Sequence, residues 1–130
     1  MKVRGGHLKK NIELEAGEWD YVEIPVRKGS RIAVYANEVD GDDFSVYILK
    51  QADVKRTPLI GTVTEYEDGK ALWSNEKVKS VDTEYVAEDR DTLYVFFDNY
   101  HAKSKYKSVD IDVRVDHPPL KVGDEPLRES

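Results

Sequence analysis

Apolar and polar residues alternate with a period of two along most of the chain, the pattern of half-buried β-strands. The clearest stretch runs from 93 to 115. Leu93, Val95 and Phe97 alternate with Tyr94, Phe96 and Asp98, so this segment is apolar on both faces and reads as a central strand. Val109, Ile111, Val113 and Val115 alternate with Asp110, Asp112, Arg114 and Asp116, which gives one apolar and one charged face. The two segments are expected to pair as an antiparallel hairpin, with the valines buried and Asp110 and Asp112 in solvent. A one-residue slip would put those carboxylates in the core at several kcal/mol each.

The alternation recurs upstream. Leu8, Ile12 and Leu14 share a face, and Ala16-Gly17-Glu18 turns the chain into a strand over 19–26. There Val22, Ile24 and Val26 point one way and Trp19, Tyr21 and Glu23 the other. Pro25 lacks a ladder donor and marks this strand as an edge or as ending there. A turn at 27–30 precedes a strand over 31–37 in which Ile32, Val34 and Ala36 point inward and Tyr35 outward. Asp40-Gly41-Asp42 turns into a doubly apolar strand at 44–49. Residues 50–58 are aperiodic and read as a connection, with room for one helical turn at 51–56. Segments 59–66 and 70–74 flank Glu67-Asp68-Gly69 as a hairpin, and 81–86 adds a strand. Nowhere do apolar residues keep a helical period for three turns. The expectation is all-β: a single-domain antiparallel β-sandwich of about eight strands, jelly-roll-like, over residues 1–116. A Pro-containing C-terminal tail, 117–130, is expected to be extended or disordered.

Composition narrows the function classes. A chain of 130 residues buries a core of ordinary size without disulfides or metals. Its net charge of -6 repels a polyanion, so nucleic acid is not an expected partner. The absence of cysteine excludes thiol redox chemistry. Residues 1–10 hold no apolar run of the signal-peptide kind and no window reaches membrane-span length, so a soluble, cytoplasmic protein without membrane contact is expected.

Candidate chemistry is sparse. Asp40, Asp42 and Asp43, with Glu38 nearby, form the densest carboxylate group, and hard oxygen donors of this kind are what Ca²⁺ takes. Their spacing is not that of an EF-hand, and a solvated turn is the plainer reading. His7, His101 and His117 lack an i, i+4 partner, and no Gly-x-Ser-x-Gly elbow is present. No enzymatic activity and no cofactor are expected. Residues 100–107 combine Tyr100 with Lys103, Lys105 and Lys107, a loop suited to an acidic protein partner, or else a solvated tip whose lysines deter aggregation. Trp19, Tyr21 and Tyr35 form an expected outer aromatic face. It needs a cover, which could be the N-terminal segment, the tail, a second copy in a homo-oligomer, or a stacked sugar. Asp98-Asn99, where a central strand meets a loop, reads as a pair that satisfies loop backbone groups.

The signals Ala16-Gly17-Glu18, Lys28-Gly29-Ser30-Arg31-Ile32, Phe44-Ser45-Val46-Tyr47-Ile48-Leu49 and Leu93-Tyr94-Val95-Phe96-Phe97-Asp98-Asn99, followed by Lys107-Ser108-Val109-Asp110-Ile111-Asp112-Val113, come in a particular order. That order resembles the GOLD domain, the β-sandwich of the lumenal part of emp24/p24 cargo proteins and of related bacterial and archaeal extracellular sandwiches. The resemblance implies a jelly-roll-like sandwich that recognises proteins without catalysis. The p24 cysteine pair, coiled coil and membrane segment are absent, so cargo-receptor function does not transfer. The expected function is a non-enzymatic protein-interaction or assembly module, working through the outer aromatic face or the 100–107 loop. Its rival is a carbohydrate-binding module with a structural calcium.

Overall fold

Strands apolar on one face bury it only when two sheets stack. The computed structural model describes residues 1–57, 61–99, 106–123 and 127, and these supply ten strands. They are β1 (Gly6–Leu14), β2 (Trp19–Val26), β3 (Arg31–Glu38), β4 (Phe44–Lys50), β5 (Val54–Arg56), β6 (Val63–Tyr66), β7 (Trp73–Val78), β8 (Ser80–Val86), β9 (Asp91–Asp98) and β10 (Lys107–Asp116). One four-stranded sheet runs β1-β10-β3-β8, the other β2-β9-β4-β7, and β5 pairs with β6 in a small third sheet. All pairings are antiparallel. Except from β4 to β7, successive strands of the two large sheets alternate between them, which is the jelly-roll arrangement. Val22, Ile24, Val34, Val46, Ile48, Val95, Phe97, Val109 and Val113 meet between the sheets, each at most 1 % exposed.

This topology corrects the expected hairpin of 93–98 with 109–115. β9 lies between β2 and β4, whereas β10 lies between β1 and β3 in the opposite sheet. Alternation specifies which face of a strand is buried but not which strand is its neighbour. The burial part of the expectation stands: Val109, Ile111, Val113 and Val115 are buried, Asp110 is exposed, and Asp112 lies on the same outer face. The hairpin expected around Glu67-Asp68-Gly69 is corrected too. β6 pairs with β5, Val54 opposite Tyr66, while β7 pairs with β4, Tyr47 opposite Ser74. The stretch read as a connection holds one 3₁₀ turn, Gln51–Asp53, and then β5.

β2 is an edge strand, as Pro25 requires. The N-terminal residues blunt that edge: Val3 N–H donates to Glu23 O at 2.9 Å and Glu23 N–H to Met1 O at 2.7 Å. After β10, His117 bonds Ser30 Oγ at 2.8 Å through Nδ1 and the Arg4 carbonyl through Nε2, which holds the start of the tail against the sandwich.

Candidate functional site

The two outer faces of the sandwich differ in what covers them. On the β2-β9-β4-β7 sheet, the register places Trp19 opposite Asp98, Tyr21 opposite Phe96 and Glu23 opposite Tyr94, with Tyr47 beyond Phe96. The β5–β6 hairpin lies over this platform. Tyr66 stacks on Phe96 with ring centroids 3.9 Å apart and planes 17° from parallel, and Trp19 meets Tyr66 edge-on at 5.3 Å. Val63, the first residue of β6, is buried against the platform, and its N–H donates to Tyr21 Oη at 3.3 Å.

Polar contacts fasten the hairpin. Glu23, almost fully buried, pairs with Arg56 of β5, accepts the Tyr94 hydroxyl at 3.0 Å and lies 3.6 Å from Lys2. The Arg56 guanidinium sits 5.3 Å from the centre of the Tyr94 ring. The Tyr66 hydroxyl donates to Asp98. Burial, and then donation to Glu76 Oε1 at 3.0 Å, pushes the Tyr47 phenol up to about 12. Trp19 and Tyr21 therefore belong to a second core. The expected single aromatic face is corrected: Tyr35 lies on the other sheet, and the cover over Trp19 and Tyr21 is the chain's own hairpin.

No element among the described residues covers the outer face of the β1-β10-β3-β8 sheet. Register brings Lys9, Asp112, Tyr35 and Asp82 into one cross-strand row, with Asn11, Asp110, Asn37 and Ser80 in a neighbouring row. On the other side of the first row lie His7, Arg114, Ala33 and Glu84. Tyr35 has 47 % of its surface exposed. Two shallow hollows of about 390 and 310 Å³ meet at Tyr35 and Asp112.

The polar groups around Tyr35 are held in place. Asn11 Nδ2 donates to Asp110 Oδ1 at 2.8 Å and to Ser108 Oγ at 2.9 Å. Asp112 bonds His7, and Arg114 Nε lies 3.5 Å from it. Partial burial pushes the Asp112 carboxyl up, but the His7 and Arg114 contacts outweigh it and leave the group below its ordinary range. The result is an open, polar, net acidic sheet face with one tyrosine ring at its centre.

The other expected sites fare differently. Tyr100, Lys103 and Lys105 lie outside the described residues. Lys107 was expected in an exposed loop, and here the structure differs: it is the first residue of β10, 3 % exposed, with Nζ 3.2 Å from Asp43 Oδ1. A buried ammonium needs such a counterion. Glu38, read only as a neighbour of the acidic turn, is the residue that builds it. Its Oε1 accepts the N–H groups of Asp40 at 2.7 Å and Asp42 at 3.0 Å, and its Oε2 accepts that of Ser108 at 2.9 Å. Among the described residues no three His, Asp or Glu side chains converge as metal ligands. Asn99 is buried and its Nδ2 donates to the carbonyls of Leu14 and Glu15, so it ties the end of β9 to the β1–β2 turn.

No protein-family model and no curated protein sequence matches the chain. Solved structures do. The chain is similar to PliG of Aeromonas hydrophila, a periplasmic lysozyme inhibitor of g-type lysozyme, at 8% identity over 88% of this chain and 94% of that one, with a TM-score of 0.60. A mutant PliG of Escherichia coli matches at 16% identity over 88% and 96%, with a TM-score of 0.53. The pre-peptidase C-terminal domain of Bacillus anthracis collagenase matches at 9% identity over 87% and 92%, with a TM-score of 0.52. At such identities the likeness shows the fold, a β-sandwich, and the neighbours include inhibitors that act on another protein. The expected cytoplasmic location is corrected by the same finding, because the PliG structures are of periplasmic proteins. The features that prompted it, no cysteine and a polar residue 1–10 segment, are compatible with either compartment.

Proposed function

We propose that this chain is a non-enzymatic module that binds a protein partner through the open β1-β10-β3-β8 face, with Tyr35 as the anchor. The observation that carries the reading is the unequal cover of the two faces. A whole hairpin closes one aromatic platform, while among the described residues no element covers the other face around a half-exposed tyrosine. A rigid aromatic ring with two χ angles, ringed by fixed Asn and Asp side chains, offers contact area at low entropic cost and hydrogen bonds for specificity. Asp82, Glu84, Asp110, Asp112 and Asp116 outnumber Lys9, Arg31 and Arg114 on this face, so a basic patch on the partner is the complement. This replaces the acidic partner expected from the 100–107 loop, where Lys107 is neutralised by Asp43. The PliG neighbours, which inhibit a protein, support a protein as the partner and make a g-type lysozyme the first to assay.

The rival carbohydrate-binding reading loses the Trp19 and Tyr21 platform to the hairpin. The test is site-specific photo-crosslinking. A photoreactive residue at position 35 is expected to trap one protein, and the purified pair should then form a complex that Tyr35→Arg abolishes. The same residue at Glu65, exposed on the hairpin, should trap none. Equal trapping at both positions, or none at 35, contradicts the assignment.

A further inference from the structure

A sheet edge presents a row of backbone N–H and C=O groups that can add a further strand, and natural sheets guard their edges against this. Three of the four edges of the two large sheets are guarded here. On β2, Pro25 lacks a donor, and Met1 and Val3 pair with Glu23. On β1, Lys9 and Lys10 are both exposed, and Lys10 stands opposite Ile111, an inward position where an added strand needs an apolar neighbour. On β7, the register with β4 shifts between Phe44 and Val46 and Lys77 has φ 55°, so the ladder is irregular.

The β8 edge carries none of these devices. Its seven residues pair with β3 without a break, from Ser80 opposite Asn37 to Val86 opposite Arg31, and include no proline, glycine or lysine. Among the described residues no strand pairs with its other side. Val81, Thr83 and Tyr85 lie opposite the inward residues of β3, and Asp82 and Glu84 alternate with them on the outer face. Arg31 is taken up by Glu84 at 2.8 Å, and Asp82 has no ion pair among the described residues. The core is also unfinished along this side, where β7 and β8 adjoin through Lys79 alone. Tyr85, Trp73 and Val78 pack against the core but are only partly buried, and Leu72 is 40 % exposed.

We infer that β8 is where the protein partner adds a strand, an extended segment in which basic residues alternate with apolar ones. The inference rests on the proposed docking of a basic partner on this sheet and extends it: Asp82 is the cross-strand neighbour of Tyr35, so an added strand continues the same face. Its basic residues meet Asp82 and Glu84, and its apolar ones meet Val81, Thr83 and Tyr85 and cover the open side of the core. A second copy of this chain fits less well. Pairing β8 with itself about residue 82, 83 or 84 sets carboxylate against carboxylate, and β1 of another copy, with Lys9 beside Asp82, sets Lys10 against the buried Val81.

A fluorescein-labelled heptapeptide, Lys-Val-Lys-Val-Lys-Val-Lys, titrated into the full chain and followed by anisotropy, tests this. Saturable one-to-one binding is expected. Two further versions carry N-methyl groups on the valine amides or on the lysine amides and keep the charge. An antiparallel ladder uses the amides of alternate residues only, so one version should lose binding and the other keep it. The double variant Asp82→Lys/Glu84→Lys should bind the heptapeptide at least about tenfold more weakly. It should also gain binding of the Glu-Val counterpart, a gain that loss of folding cannot produce. No binding, equal behaviour of the two methylated versions, or unchanged affinities in the double variant would overturn the inference. Sedimentation showing self-association that the double variant alters would give the edge to a second copy and overturn it as well. Tyr35→Arg reads the open face separately. Partner binding that needs Tyr35, without heptapeptide binding, removes strand addition alone, whereas heptapeptide binding with a partner indifferent to Tyr35→Arg removes the Tyr35 reading alone.

Discussion

The two outer faces of this sandwich start from similar material and end differently. Each carries outward aromatic residues on a strand, two on β2 (Trp19 and Tyr21) and one on β3 (Tyr35). On the first, the flanking strands add Tyr47, Tyr94 and Phe96, and the apolar area becomes large enough that a hairpin closes it. On the second, the neighbours of Tyr35 are Asp112 and Asp82, so water covers it at little cost. The fate of an outward aromatic is thus set by its cross-strand neighbours, which the strand's own sequence does not contain.

That contrast is open to attack by mutation, with the largest effect on the covered face. Phe96→Ala removes the ring beneath Tyr66 and Trp19 and is expected to cost about 3–5 kcal/mol, measured by urea or thermal unfolding. Next comes Arg56→Ala, which leaves the buried Glu23 carboxylate without its hairpin partner. A loss of about 3 kcal/mol is expected, with the hairpin amides of β5 and β6 exchanging faster. Asn99→Ala should cost about 1–3 kcal/mol, because the Leu14 carbonyl loses the Asn99 donor and the Glu15 carbonyl keeps only the Glu18 N–H.

Smaller effects belong to the open face. Asp112 has a folded-state pKa below its unfolded one, so its contribution is present above about pH 4 and is lost as pH falls through the lower folded value. Asp112→Asn should flatten that part of the acid-stability profile by no more than about 1 kcal/mol, the pair being partly solvated. Tyr35→Ala should change unfolding by only about 0.5 kcal/mol while abolishing partner binding. A large destabilisation by Tyr35→Ala would mean that its face is structural after all.

Period-two alternation carried most of the fold. The inward sets Val22-Ile24-Val26, Ile32-Val34-Ala36 and Val109-Ile111-Val113-Val115 are buried as read, and Pro25 lies on an edge strand. Pairing was not readable, because β9 and β10 are apolar enough to suit either sheet and only the whole jelly roll separates them. The β5–β6 cover was missed because Val54 and Arg56 are too short a strand to show a period. Tyr35 was readable as an outward aromatic, yet its separation from Trp19 and Tyr21 depends on β2 and β3 lying in different sheets. A hollow at the end of the sandwich draws Lys28, Arg90 and Lys121 from three distant segments, a juxtaposition that no local pattern encodes.

Tyrosine footprinting of the unmodified chain by nitration, read by mass spectrometry with and without the purified partner that crosslinking identifies, tests the two-face account most directly. In the free protein Tyr35, about half exposed, should modify readily, and Tyr47 and Tyr94, at most 1 % exposed, should stay silent. Partner binding should then protect Tyr35. Modification of Tyr47 and Tyr94 in the free protein, or a Tyr35 that the partner leaves as reactive as before, would contradict the account.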